Sequence, residues 1–263
     1  LDLTHLGADR INSRLPLIRE VAIKFVGIDP ITTPIPIRPV AHYSMGGIET
    51  DINGRTRIPN IWAAGEAACV SLHGANRLGS NSTAECLVWG GIAGGEIADA
   101  LPMLPAAASM PEAARQSSGR HLDEVRSRRG EENIYQLRRE LRAVMDRHAG
   151  VYRRREEMAE GLDRIREIRS RMKQAPVGDS TKVYNSNFLH ALELENLIDL
   201  AEVTLAGALA REESRGAHAR TDYATRDDEK WLKHTLAWRE GETFRLDYKP
   251  VTINTWKPVE RKY

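Results

Sequence analysis

The chain has 263 residues, 41% of them hydrophobic and 29% charged, with 38 basic side chains against 37 acidic ones for a formal charge of +1. A chain of this length hides roughly three-quarters of its unfolded surface, and its apolar share excludes an intrinsically disordered protein. Near-neutrality and only 6% aromatic residues exclude a generally basic, base-stacking nucleic-acid binder.

No apolar run approaches the ~20 residues of a membrane span, and the opening stretch LDLTHLGADRINSRL lacks the layout of a signal peptide. A start at Leu1 rather than methionine reads as the later part of a longer chain. Ile11, Leu15, Ile18, Ala22 and Phe25 then recur at three and four residues, which predicts one amphipathic helix stopped by Gly27. Pro30, Pro34, Pro36 and Pro39 predict an extended connector, because proline neither donates to a ladder nor continues a helix. A short strand is expected over 40–43, ending at the pair Gly46-Gly47. Residues 48–58 read as a hairpin turning on Asn53-Gly54 with the positive φ values of a type I′ turn. Residues 61–64 read as a buried strand running into Gly65-Glu66. Cys69 and Cys86, the only cysteines, are too few for a disulfide framework or a cysteine-rich zinc site and fit a reducing compartment.

The loop SLHGANRLG leads to a helix start, where Ser82 and Glu85 have the spacing of a capping box. The helix behind it carries Gly90, Gly91, Gly94 and Gly95, each costing up to roughly 1 kcal/mol against alanine. That cost predicts close approach of another backbone or of a flat ligand. Residues 101–119, rich in Ala, Pro, Met and Ser, read as a linker. Three helices follow, marked by Ile134, Leu137, Leu141 and Val144, by Met158, Leu162, Ile165, Ile168 and Met172, and by Phe188, Leu192, Leu197, Leu200 and Val203. Short loops around Gly150 and residues 176–178 make neighbours antiparallel, as in an up-down bundle. In the tail, residues 235–238 and 243–248 flank Gly241 as a small hairpin.

Some of these residues carry chemistry. Glu66 follows a strand end, where open α/β sheets hold ligands, and its carboxylate can accept two hydrogen bonds from sugar hydroxyls. Taken alone, the position reads first as a solvated turn glutamate. The string SLHGANRLGSNS is more informative. Arg77 lies among small residues and can fork onto a carboxylate with two parallel N–H bonds, while the helix start at Ser82 offers amide N–H groups and the positive end of a dipole. His42 precedes Gly46-Gly47, which would let a planar ligand lie against the backbone, although a lone histidine there reads first as an ordinary core or surface residue. No histidine has HExxH spacing, so no catalytic zinc is expected. The runs Arg126-Arg128-Arg129 and Arg153-Arg154-Arg155 are interleaved with glutamates and are expected on solvated helix faces rather than on RNA.

The strings HYSMGGIETD, GEAA and LHGANRLGSNS, with SRGAHAR and RDDEKWLKHTLA far downstream, together resemble the flavoprotein subunits of the fumarate reductase and succinate dehydrogenase family. The resemblance runs in order over all 263 residues. RDDxxxLKHTLA separates it from related amino-acid oxidases, which share the early loop chemistry, and IETD and SNS are nearer to fumarate-reductase-like members. The resemblance implies an α/β plus all-α architecture. Residues 1–40 would end a capping domain, 41–104 would be the closing, C-terminal part of an FAD-binding Rossmann-like domain, and 105–119 a linker. A three-helix bundle domain over 120–225 and a small β-containing C-terminal segment over 226–263 complete it.

The same resemblance implies that His42 and Arg77 bind a dicarboxylate and that Gly46, Gly47, Glu66, Asn81, Ser82 and Thr83 line FAD. Glu66 would be a ligand of FAD hydroxyls, and Ser82 and Thr83 the helix start facing the flavin ring. No metal site is implied. The implied reaction is interconversion of fumarate and succinate by hydride transfer at flavin N5. Electrons would pass to or from an iron–sulfur subunit, docked on membrane anchor subunits that handle quinone, peripherally at the cytoplasmic face of the inner membrane. The family's Gly-rich dinucleotide fingerprint, flavin-attaching histidine and proton-shuttling arginine have no counterpart here, so the chain is expected to be a C-terminal portion, inactive alone. An L-aspartate oxidase and a non-catalytic partner-docking fragment are the alternative readings. Arg215 and His218 of SRGAH are expected to be structural, between bundle and flavin domain.

Overall fold

Pro16 breaks the single helix expected over 11–25. Its missing N–H and fixed φ suit the first position of a helix. The chain therefore forms α1 (Ala8–Arg14), turns at Leu15 and restarts as α2 (Pro16–Val21), which runs on as a π-turn over Ala22–Val26 and ends at Gly27 with φ 72°. Of the expected apolar stripe only Ile11 and Ala22 are buried, and Phe25 is 83% exposed. Arg19 and Asp29, paired at 2.7 Å, pin the following loop, and the Ile35 N–H donates to the Leu1 carbonyl at 2.9 Å. These elements belong to the first of two units, Leu1–His42; the second is Tyr43–Tyr263. The structure is a computed structural model describing residues 1–105 and 109–259, so linker residues 106–108 and the final 260–263 of the C-terminal segment lie outside the described residues.

Residues 40–43 form no strand. In the second unit β1 (Ile48–Glu49) pairs in parallel with β2 (Ala68–Cys69). Between them the hairpin expected over 48–58 closes through a different turn. The Gly54 N–H donates to the Asp51 carbonyl at 3.1 Å, Thr50 faces Thr56, and Gly54 has a positive φ of 78° whereas Asn53 does not. The Asp51 carboxylate accepts from the N–H groups of Asn53 and Arg55, at 2.9 Å each. That asparagine N–H bond favours a three-residue turn closed by a glycine bulge over the type I′ turn. Residues 61–64 make one bridge, Trp62 to Arg55, and Ile61 is exposed, so the expected buried strand is absent.

Helix α3 (Asn81–Ala100) follows the SLHGANRLG loop and buries only Glu85 and Ala93. A Cβ on Gly90, Gly91, Gly94 or Gly95 would meet nothing within 4 Å, so the surface these glycines keep free is open among the described residues. Helix α4 (Glu112–Ser127) begins inside the stretch expected as a linker.

Helix α5 (Ile134–His148), strand β3 (Tyr152–Arg153), helix α6 (Arg155–Met172) and helix α7 (Ser186–Ala210) come next. Their core contains Leu137 and Leu141 of α5, the five expected apolar residues of α6, and Val125 of α4. Asparagines start two of the helices: the Asn133 side chain accepts from the Tyr135 and Gln136 N–H groups, and Asn185 from Phe188. The core face of α7 differs from the expected one. Ala191, Leu194, Ile198, Ala201, Leu205 and Ala208 are buried, while Leu200 is 64% exposed. Apolar residues lie on every side of α7, so spacing alone does not choose a face. Gly161 allows close packing here, since a Cβ would stand 2.6 Å from the Cβ of His148 and 3.2 Å from a Leu205 methyl.

Strand β4 (Ala219–Arg220) pairs in parallel with β3, and helix α8 (Asp228–Trp231) precedes the hairpin of β5 (Lys233–Glu240) and β6 (Thr243–Pro250). Glu240 faces Thr243 around Gly241 at φ 64°, the turn expected from sequence. The hairpin is tied to β1 through Glu49, which binds both Arg57 and Lys249; these bonds, Arg57 first, pull its carboxyl down to about 2. The arginine runs are not simply solvated. Arg128 is half-buried and paired with Glu195, Arg153 donates to His218, and Arg126 lies 4.3 Å over the Phe188 ring. Among the described residues no helix is long and apolar enough to cross a membrane, and no three His, Cys, Asp or Glu side chains are grouped to hold a metal.

Candidate functional site

Gly46 and Gly47 sit at φ 104° and 125°, backbone conformations that side chains with a Cβ rarely adopt. A Cβ on Gly47 would stand 2.4 Å from the Ala67 carbonyl oxygen, so HYSMGG and GEAA pack backbone on backbone. Glu66 lies in the short turn over Gly65–Ala67. One of its carboxylate oxygens accepts from the Ser44 N–H at 2.8 Å, and the exposed side chain makes no other hydrogen bond among the described residues.

The capping box expected at Ser82 does not form. Helix α3 starts two residues earlier, with Ser80 at φ 68° in the capping position, and no side chain among the described residues caps it. Glu85 instead turns inward, 3% exposed, where its carboxylate accepts from the Tyr43 hydroxyl and lies 2.6 Å from His73 Nε2. Two side-chain donors in a buried setting outweigh a bond to an amide that water can serve. Burial, together with the bond to Glu85 and its charge, pushes the Tyr43 phenol well above its usual range. Asn81 and Ser82 are half-buried and Thr83 is exposed, at the uncapped positive end of α3.

Arg77 is half-buried beside this cluster. Its Nη1 donates to the Leu78 carbonyl at 3.0 Å, its guanidinium carbon lies 4.7 Å from the centre of the Tyr43 ring, and its Nε is buried with no partner among the described residues. A buried, unpaired guanidinium N–H is costly unless something accepts from it. The loop carrying Arg77 is backed by SRGAH: the Ala217 N–H donates to the Ala75 carbonyl at 2.9 Å, and a Cβ on Gly216 would stand 2.6 Å from that oxygen. Arg215 is held by Glu213 and Asp228, at 2.8 and 2.6 Å. His218 donates from Nε2 to the Arg211 carbonyl at 3.1 Å and accepts from Arg153 at Nδ1; burial, above all, pushes its pKa down and keeps it neutral. Both therefore support the loop.

His42 closes the first unit, exposed and without a hydrogen bond among the described residues. The structure brings Arg77 together with three residues to which sequence reading gave no place in the site, Tyr43, His73 and Glu85, the last expected only as a helix cap. A carboxylate at position 85 among Ala84, Cys86 and Leu87 was the one local sign of a buried ion.

The family profile described as "FAD binding domain" matches residues 1–83, and the one described as "Fumarate reductase flavoprotein C-term" matches residues 138–263. The fumarate reductase flavoprotein subunit of Mycobacterium tuberculosis is 43% identical over 270 aligned residues, covering 100% of this chain and 46% of that protein. The succinate dehydrogenase flavoprotein subunit of Rickettsia conorii is 42% identical, covering 100% of this chain and 47% of that one. Among solved structures, E. coli quinol fumarate reductase superposes with a TM-score of 0.92 at 43% identity, over 99% of this chain and 45% of that chain. The mixed, mostly helical architecture with few strands is thus that of a fumarate reductase flavoprotein, and the chain spans about half the length of the curated relatives it matches. Arg77, Glu66 and the glycine pair sit in a fold that these relatives share from end to end of the chain, and the chain belongs to the family of fumarate reductase and succinate dehydrogenase flavoprotein subunits.

Proposed function

We propose that these residues serve an FAD-dependent oxidoreductase that interconverts fumarate and succinate. The observation that carries this reading is Arg77, whose buried Nε has no acceptor among the described residues, in a glycine-flanked loop that ends at an uncapped helix start. A dicarboxylate would supply the missing acceptor.

The residues present fit FAD as well. Gly46 and Gly47 keep the backbone bare, Glu66 has one carboxylate oxygen free to accept from a hydroxyl, and the four open glycines of α3 leave room for a flat group. Asn81, Ser82 and Thr83 offer the positive helix end to a ring that carries negative charge. When bound, FAD supplies the ring that accepts or donates the hydride. Arg77 would hold a terminal carboxylate and draw electron density from the adjoining double bond. Orientation and charge stabilisation of this kind are worth several kcal/mol of barrier, on the order of 3 or more.

Within the whole protein, an iron–sulfur subunit on a membrane anchor that handles quinone would exchange the electrons, with the flavoprotein peripheral at the cytoplasmic face of the inner membrane. The resemblance to E. coli quinol fumarate reductase supports membership of a quinol-linked complex. The direction of the reaction follows from the potential of the electron partner.

The full-length, flavin-loaded protein is expected to reduce fumarate with a low-potential dye and to oxidise succinate with an artificial acceptor; inactivity in both assays would overturn the proposal. Glu66→Ala is expected to lose flavin on gel filtration while dicarboxylate affinity of the flavin-loaded fraction stays near normal. Unchanged flavin content would remove Glu66 from the cofactor site.

A further inference from the structure

The function proposed above leaves one buried polar cluster unused. Tyr43 donates its hydroxyl to Glu85, His73 Nε2 lies 2.6 Å from the same carboxylate oxygen, and the two rings meet edge to face, with centres 5.3 Å apart and planes at 88°. Glu85 and His73 come from the two sides of the Arg77 loop, one on α3 and one just before the arginine. The hydroxyl bond and the perpendicular ring contact together fix both the position and the rotation of the phenol. Its face then lies under the Arg77 guanidinium, 4.7 Å from the ring centre.

A guanidinium has two edges that can fork onto a carboxylate. The Leu78 carbonyl occupies Nη1, and neither Nε nor Nη2 has a partner among the described residues. We propose that Tyr43, locked by Glu85 and His73, is a positioning residue for Arg77: it presets the guanidinium plane so that the Nε–Nη2 edge faces the dicarboxylate. The inference rests on the reading of Arg77 as a carboxylate ligand and adds which edge binds and what aims it. Burial and the neighbouring carboxylate keep the phenol protonated, which preserves the bond to Glu85.

The test uses the full-length, flavin-loaded holoenzyme and malonate, a dicarboxylate that does not react. Tyr43→Leu removes the platform and is expected to weaken malonate binding at least ~30-fold, and to raise the KM for fumarate more than it lowers kcat, as loss of a preset geometry does. Tyr43→Trp, which restores an aromatic face, is expected to recover most of that affinity; a cluster that only satisfied Glu85 would show no such recovery. Malonate affinity within ~3-fold of the parent in Tyr43→Leu would overturn the inference. Should Tyr43→Leu not fold, Tyr43→Phe decides: it keeps the face but frees it from Glu85, and is expected to bind malonate several-fold more weakly, whereas unchanged affinity overturns the inference. Arg77→Lys separates the two levels. Normal malonate binding in Arg77→Lys sinks both, while weak binding there with normal binding in Tyr43→Leu sinks only the positioning role.

Discussion

Arg77→Lys in the full-length protein is expected to lower kcat/KM for fumarate by at least ~100-fold. A lysine ammonium is a compact point charge without a planar fork. It cannot stack on Tyr43, donate to the Leu78 carbonyl and present two parallel N–H bonds to a carboxylate at once, as the Arg77 geometry allows. The charge survives and the fork does not, so the substitution tests geometry rather than electrostatics. Steady-state kinetics in both directions, with flavin content measured on the same sample, provide the check. Near-normal kinetics would remove Arg77 from the carboxylate site.

Replacing Arg220 with methionine is expected to cost stability on the order of 2–3 kcal/mol at neutral pH. The residue is 2% exposed, and all of its side-chain nitrogens are engaged. Nε and Nη2 fork onto Asp222 at 2.7 and 2.6 Å, and Nη1 donates to the carbonyls of Ala208, Leu209 and Arg211 at 3.1 to 3.3 Å. Those carbonyls close the C-terminal end of α7, where a cation is favoured by the helix dipole. Methionine fills the volume but takes a donor from the Ala208 and Leu209 carbonyls and from the Asp222 carboxylate, while the Arg211 carbonyl keeps His218. Arg220 also holds the Asp222 carboxyl well below the usual carboxylate range. A depressed carboxyl adds stability that is present above its ordinary pKa and lost as pH falls below it. The penalty of Arg220→Met is therefore expected to be larger at pH 7 than at pH 3. Urea unfolding of parent and variant at both values measures it, and equal midpoints at pH 7 would show that the bonds to Arg220 are dispensable.

How much of this was legible depended on whether the deciding contacts were local. The stripes of α5 and α6 and the turn at Gly241 follow from neighbours within a few residues, and the structure has them where spacing predicts. Pro16 was also local, yet the apolar period through it masked the break between α1 and α2. The face of α7 was ambiguous, because a helix apolar all round is oriented by what packs on it. Residues 61–64 have the composition of a strand but only one bridging partner, at Arg55, and ladder pairing depends on neighbours far along the chain. Glu85 has the spacing of a capping residue; two donors from distant segments claimed it instead.

The sequence by itself determined the family, the flavin class of cofactor and the small-residue loop that holds Arg77, because each is written in contiguous strings whose side chains act near where they stand. Tertiary structure alone decided that Arg77 lies on Tyr43, that Glu85 is buried rather than capping, and that SRGAH braces the loop from behind. Those outcomes join segments far apart in the chain through packing and desolvation, which no local spacing encodes.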